Sequence, residues 1–356
     1  MHPATSLAER ATPGHGWVFM LAQQINLMRA FIASVLVFLS LISCSGAAGD
    51  RLAAHPRLVE LVPIDVDPKR PERRTFGSLT LVSAFQLASK DKRFGGLSGL
   101  SIGTDGGLYA VSDRGYWLSA SMLLDPNGAM KDLVEWRIAP LLTTTKTPVS
   151  GRLRDAEALA QARDGSFLVA FEGSHRIWRY RPPPNTFEST PVSVQIPPAA
   201  AQAPSNGGIE ALTTLADGRL LIIAEELENP DGSVKAWVLD DGQSTELSYL
   251  PAKGFRVTDC AALSNGDVLV LERRYVRFGI LSARLTLVKA GNLRSGAKLA
   301  GKELLKLEQP LAVENFEGIA VQQTSNGTMI FIVSDDNYSH FQQTLLLQFL
   351  LPSSDP

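Results

Sequence analysis

With only two cysteines in 356 residues, Cys44 and Cys260, the chain has no disulfide framework. The pronounced apolar stretch near the amino end, Ala30 to Ile42, has thirteen residues, where a membrane-spanning helix needs about twenty. A net charge of −2 without a long basic run provides no electrostatic footprint for nucleic acid. The five histidines, at 2, 15, 55, 175 and 340, show neither His-x-His nor His-Glu-x-x-His spacing, so a zinc site of the usual kind is excluded. Gly99-Leu100-Ser101-Ile102-Gly103 matches G-x-S-x-G in letters. Its serine, however, precedes a hairpin turn and a second strand, whereas a nucleophile elbow needs a strand, a sharp turn and a helix. It reads as a strand serine. Cys260 lies among apolar and small residues with no histidine near it in sequence, and reads as a small buried hydrophobe.

What is present begins with a signal. Arg29, the thirteen-residue apolar run and Leu41-Ile42-Ser43-Cys44 have the order of a secretory signal. The last four residues resemble the bacterial lipoprotein signal, which implies cleavage before Cys44 and a lipid on its thiol. Met28 would supply a short n-region and is a second candidate start. The domain expectation is therefore residues 1–44 as signal, 45–74 as a Pro-, Arg- and Asp-rich tether, and 75–352 as a single folded domain. The expected setting is export, with the chain lipid-anchored in the periplasm or at the outer membrane as a monomer.

The dominant feature of the chain is a repeat. Phe94 to Gly115 (FGGLSGLSIGTDGGLYAVSDRG) returns at Arg154 to Gly173, Asn206 to Glu226, Val257 to Arg273 and Asn315 to Asn337. Each copy centres on Asp-Gly or Asn-Gly, the pairs that allow the positive φ of a tight hairpin turn. These pairs lie 48 to 61 residues apart, enough for one four-stranded sheet per repeat. Runs such as Leu220-Leu221-Ile222-Ile223-Ala224 are apolar at every position, which marks strands buried on both faces. Sheets buried on both faces must stack on one another, and the reading is an all-β propeller. Phe76 to Phe85 and Thr344 to Leu351 read as terminal strands that pair to close the ring. Five copies plus a blade built from these termini predict six blades.

Counting outward from two-residue turns places acidic residues opposite one another at the open end of each hairpin: Glu157 with Glu172, Glu210 with Glu225, Asp259 with Glu272, and Glu317 with Asp336. The first copy pairs Ser98 with Asp113. Like charges directly across a ladder are destabilising, so a cation or an arginine must lie among them. Asp155 and Asp335 extend the acidic set, and Arg114, Arg154, Arg273 and Arg274 sit within it. Clustered carboxylates suit a hard cation such as calcium. The alternative is a self-neutralising ring of arginines and acids that ties the blades together.

The ordered set GGLSGL, DGGLYAVSDRG, DAEALA, GGIEAL, TDCAALSNGDVLVLERR and NFEGIAV resembles the bacterial phytase-like family called "esterase-like activity of phytase", over about Thr75 to Leu351. That resemblance implies an exported propeller that hydrolyses small-molecule esters or phosphoesters. By analogy with the calcium-dependent alkaline phytases, metal-activated water would be the attacking group. Glu157 and Glu210 would then act as general bases, with Arg114 and Arg273 holding negative oxygens. Asp113, Glu172, Glu225, Asp259, Glu272, Glu317 and Asp336 would be metal ligands. The Asp-Ala-Asp-Asp-Pro opening of those phytases is absent, which leaves phytate itself unsupported. Two other functions fit the same residues: a non-catalytic propeller that binds a ligand or protein partner at the envelope, and a lactonase of the gluconolactonase type.

Overall fold

The computed structural model describes residues 57–276 and 280–353, and these form five sheets, antiparallel but for the short outer strand Lys298–Leu299, with one four-residue α-helix, Pro198–Ala201. The signal segment and Cys44 lie outside the described residues. Each repeat builds one blade. Innermost strands are Leu97–Ile102, Ala156–Gln161, Ile209–Thr214, Arg256–Ala262 and Asn315–Thr324 in blades one to five. Each touches the innermost strand of the next blade, and the fifth returns to the first. The ring is closed.

Five apolar clusters fill the five gaps between blades. The uniformly apolar runs now have a cause. Leu221 and Ile223 face the fourth blade, while Leu220, Ile222 and Ala224 face the second.

The ring has five blades where six were expected. Leu79–Ala88 pairs with Thr344–Pro352, which pairs with Gly327–Asp335 of the fifth repeat. The terminal strands therefore complete the fifth blade instead of forming another. Glu60–Pro63 adds to the outer edge of the same sheet, so the expected tether is folded from this strand on.

Turn lengths also differ from expectation. In four hairpins the loop has three residues, because Gly103, Ala162, Leu215 and Leu263 donate across to Gly107, Ser166, Arg219 and Asp267. The third loop residue is Gly106, Gly165, Gly218 or Gly266, each with φ between 79° and 98°, as a type I turn followed by a left-handed residue demands. Only the fifth hairpin has the two-residue turn, Ser325-Asn326, with Thr324 facing Gly327.

Candidate functional site: a carboxylate cluster at the channel mouth

A register shift recurs at the same place in all five inner hairpins, and the extra residue is Ser98, Glu157, Glu210, Thr258 or Glu317. A bulge re-aims a side chain that a regular strand would commit to one face. One ladder pair further out stand five pairs: Gly96 opposite Asp113, Asp155 opposite Glu172, Gly208 opposite Glu225, Arg256 opposite Arg273 and Asn315 opposite Asp335.

The expected cross-strand pairs are corrected accordingly. Glu157 does not face Glu172, nor Glu210 Glu225, because each glutamate on the inner strand is the bulged residue. The turn-length error and the bulge together displace the register.

Three expected ligands are engaged elsewhere. Asp259 faces Leu271; its Oδ1 accepts the Cys260 N–H and its Oδ2 the Ile319 N–H, both at 2.8 Å, tying blade four to blade five. Glu272 faces Val257 and is buried between blades three and four. There it accepts from the Tyr249 hydroxyl and the Ala252 N–H (3.1 Å) and lies 3.5 Å from Arg284. Asp336 caps a loop, accepting the Gly96 N–H at 3.0 Å, the Tyr338 N–H at 2.9 Å and the Thr344 hydroxyl at 3.1 Å.

The other acids converge. Ligand oxygens of Glu157, Glu210 and Glu317 lie within 4.8 Å of one another, and so do those of Asp155, Glu157 and Glu172. Glu157 belongs to both groups. Glu172 is held from behind, its Oε1 accepting the N–H groups of Gly207 and Gly208 at 2.5 Å each. Among the described residues, Asp155, Glu157, Glu172 and Glu210 form no ion pair. Instead Asp155 raises the proton affinity of Glu157, and Glu172 that of Glu210.

Burial, then the neighbouring carboxylates, pushes the Glu157 and Glu210 carboxyls well above the ordinary range. The same causes raise Asp335 to about 8. Burial, with Asp155 beside it, raises Asp113 to about 6, and one Asp113 oxygen is buried without a hydrogen-bond partner. Burial also raises Glu225, opposed by Arg273 and Arg256.

Arg273 occupies the ladder position that holds Asp113, Glu172, Glu225 and Asp335 in the other blades. Its Nη1 donates to Glu317 at 2.6 Å and to Asn315, and its Nη2 reaches Glu225 at 3.5 Å. Burial disfavours its charge, but Glu317, Glu225 and Glu210 overcome that and hold it more firmly protonated. Arg114 stacks over the Tyr338 ring at 3.3 Å. The mouth thus pairs an acidic arc on blades two and three with one arginine reaching in from blade four.

Such a donor set, several mostly buried carboxylate oxygens within reach of one another, fits a hard divalent cation. Asn315 and Arg256 were missed, and Asp335, though placed in the acidic set, was not given its partner Asn315, by counting from the wrong turn length. Arg273 lies as far beyond Gly266 as Asp113, Glu172 and Glu225 lie beyond Gly106, Gly165 and Gly218, whereas the two-residue turn of the fifth hairpin shifts Asp335 out of that count.

Gly208 is required by space. A Cβ there would lie 2.3 Å from the His175 Nδ1 and 2.5 Å from its Cε1. The His175 Nε2 is held by the carbonyls of Pro204 (2.8 Å) and Ala203 (3.1 Å), so the ring has little room to yield. Gly208→Ala should cost about 1–3 kcal/mol of unfolding free energy in a denaturant titration. It should also loosen the N–H pair that holds Glu172. Unchanged stability would mean that His175 moves without penalty.

A closed five-bladed propeller with a carboxylate-crowded channel mouth is the class that this fold and site define. The chain belongs to the Phytase-like family, described as esterase-like activity of phytase, whose profile matches residues 92–338. No curated protein matches it. Solved structures similar to it include a gluconolactonase from Xanthomonas campestris (12% identity, 82% of this chain and 97% of that one, TM-score 0.43). The Malassezia sympodialis allergen Mala s 1 is another (16% identity, 82% and 92%, TM-score 0.41). A third is the PQQ-bound aldose sugar dehydrogenase from Streptomyces coelicolor (12% identity, 72% and 94%, TM-score 0.41). None of these likenesses bears on the chemistry of this chain.

Proposed function

We propose that the protein is a metal-dependent hydrolase of small-molecule esters or phosphoesters, with calcium as the cation and the channel mouth as its site. The observation that carries this is the convergence of Glu157, Glu210 and Glu317, of which Glu157 and Glu210 have no arginine or lysine partner among the described residues. Asp155, Glu157, Glu172, Glu210 and Glu317 would hold the ion. When bound, a divalent cation acidifies water and polarises the oxygen of an ester or phosphoryl group.

The chain's own residues do the rest. The Gly207 and Gly208 N–H groups fix the Glu172 carboxylate. Glu157 and Glu210, whose environment raises their proton affinity, are placed, once ionised, to take a proton from the attacking water. Arg273, anchored by Glu317 and Asn315, is placed to hold a negative oxygen of the substrate.

A scaffold reading rests on the Arg273 contacts to Glu317 and Glu225, since part of the acidic ring is neutralised from within the fold. A lactonase belongs to the same ester class, and Asn315, which donates to Glu317 at 2.7 Å, contributes an amide to the set. Turnover of 4-nitrophenyl esters, 4-nitrophenyl phosphate and simple lactones by the full chain, with calcium and after chelation, decides among the three. Hydrolysis that chelation abolishes supports the proposal, and the substrate turned over separates esterase, phosphatase and lactonase. No turnover of any of them in a protein that still binds calcium points to the scaffold.

A further inference from the structure

The fourth blade differs from the other four where its hairpin reaches the mouth. Arg256 stands directly opposite Arg273, whereas each of the other blades carries at least one carboxylate in its pair and no cation. Like charges directly across a ladder are unfavourable. Glu225, Glu226 and Glu317 contact the pair but leave part of each guanidinium without a hydrogen bond. Arg256 contacts Glu226 and reaches Glu225 at 3.4 Å through Nη1 alone. Its Nε and Nη2, and the Nε of Arg273, donate no hydrogen bond among the described residues.

The two guanidinium-bearing side chains, with Gly254 and Tyr275, line a pocket of about 360 Å³. Gly254 adds no side chain to fill it, and Tyr275 is 68% exposed. The pocket shares Arg273 with the carboxylate cluster, since that arginine donates to Glu317 at 2.6 Å. It is therefore a recess lined by two guanidinium groups and an exposed tyrosine, beside an acidic centre.

We infer that this pocket is an oxyanion subsite. It takes a phosphate or carboxylate group of the substrate other than the one undergoing hydrolysis, with Tyr275 against the group that carries it. The inference rests on reading the mouth as a hydrolytic site and adds the class of substrate: an ester that bears a second, anionic function. Guanidinium forks suit the geometry of both oxyanions. The acidic arc on blades two and three repels the same group. A substrate of this class is thereby oriented, its anion on blade four and its scissile bond toward Glu157, Glu210 and Glu317.

The test needs neither calcium nor turnover. The full chain in detergent with chelator present is titrated calorimetrically with inorganic phosphate, with acetate and with phenyl phosphate. The expected result is binding that Arg256→Gln weakens by about tenfold or more, the loss of charge-assisted hydrogen bonds. Tyr275→Ala should remove the preference for phenyl phosphate over inorganic phosphate, and being exposed it keeps the test open should Arg256→Gln fail to fold. Stronger binding of phosphate or of acetate tells which oxyanion the pocket favours. Equal affinity in wild type and Arg256→Gln, an unchanged phenyl preference in Tyr275→Ala, or no binding of any of the three anions would overturn the subsite. Because no calcium is present, these outcomes are independent of whether the carboxylate cluster holds a metal.

Discussion

Calcium at about a hundred times its dissociation constant should stabilise the folded chain by about 2.7 kcal/mol, and Glu157→Gln should abolish that gain. Glu157 is the one residue shared by both carboxylate groups. Replacing it by its neutral isostere removes a ligand from each while leaving the space filled. In thermal unfolding the wild-type shift should be about 5 °C or more.

The pH dependence has a defined sign. Carboxyls whose affinity for protons is raised by folding bind more protons in the folded state than in the unfolded one. Without calcium, stability should therefore fall as pH rises from the ordinary carboxylate range through about 6 for Asp113 and about 8 for Asp335. With calcium the slope should flatten, because the bound ion takes the place of the protons. Apparent calcium affinity should rise over the same window. A wild-type protein with no calcium shift, or a Glu157→Gln variant that keeps the whole shift, would make the cluster structural.

Phe349→Ala should cost about 3–5 kcal/mol of a total that for ordinary domains is about 5–15 kcal/mol. Phe349 is fully buried in the carboxyl-terminal strand, faces Leu81 of the amino-terminal strand and meets the Phe76 ring edge-on with centroids 6.3 Å apart. Its loss therefore opens a cavity at the seam where the two ends of the chain are joined. Parting these two strands would leave both as unpaired sheet edges. Denaturant unfolding would measure the cost, and hydrogen exchange should show early opening in Leu79–Ala88 and Thr344–Pro352. A loss under about 1 kcal/mol would mean that the seam repacks and contributes little.

Much of the fold was legible without coordinates. Five copies of one hairpin, each with a glycine placed for positive φ and a strand apolar on both faces, demand five stacked sheets. Terminal strands with the same character supply the closure. What the repeat could not show was how many sheets the terminal strands make. That depends on whether they pair with each other alone or with the last repeat, a choice between partners of similar pattern. The observed pairing of Thr344–Pro352 with Gly327–Asp335 decides it.

The candidate site was legible in composition but not in register. Glu157, Glu210, Glu317, Glu172, Glu225 and Arg273 can be picked out because acids do not gather at one end of repeated hairpins without a counter-charge. Asp259, Glu272 and Asp336 are chemically indistinguishable from them in the sequence, yet each is spent on backbone, tyrosine or arginine contacts inside the fold. In a strand one residue of offset carries a side chain to the other face, and here a three-residue loop and a bulge each supply such an offset. The sequence by itself determined an all-β propeller and an acid-rich hairpin end. Only the tertiary structure decided which acids meet and that an arginine pair lines the mouth on blade four, because those outcomes turn on single-residue shifts that leave the pattern of residue types almost unchanged.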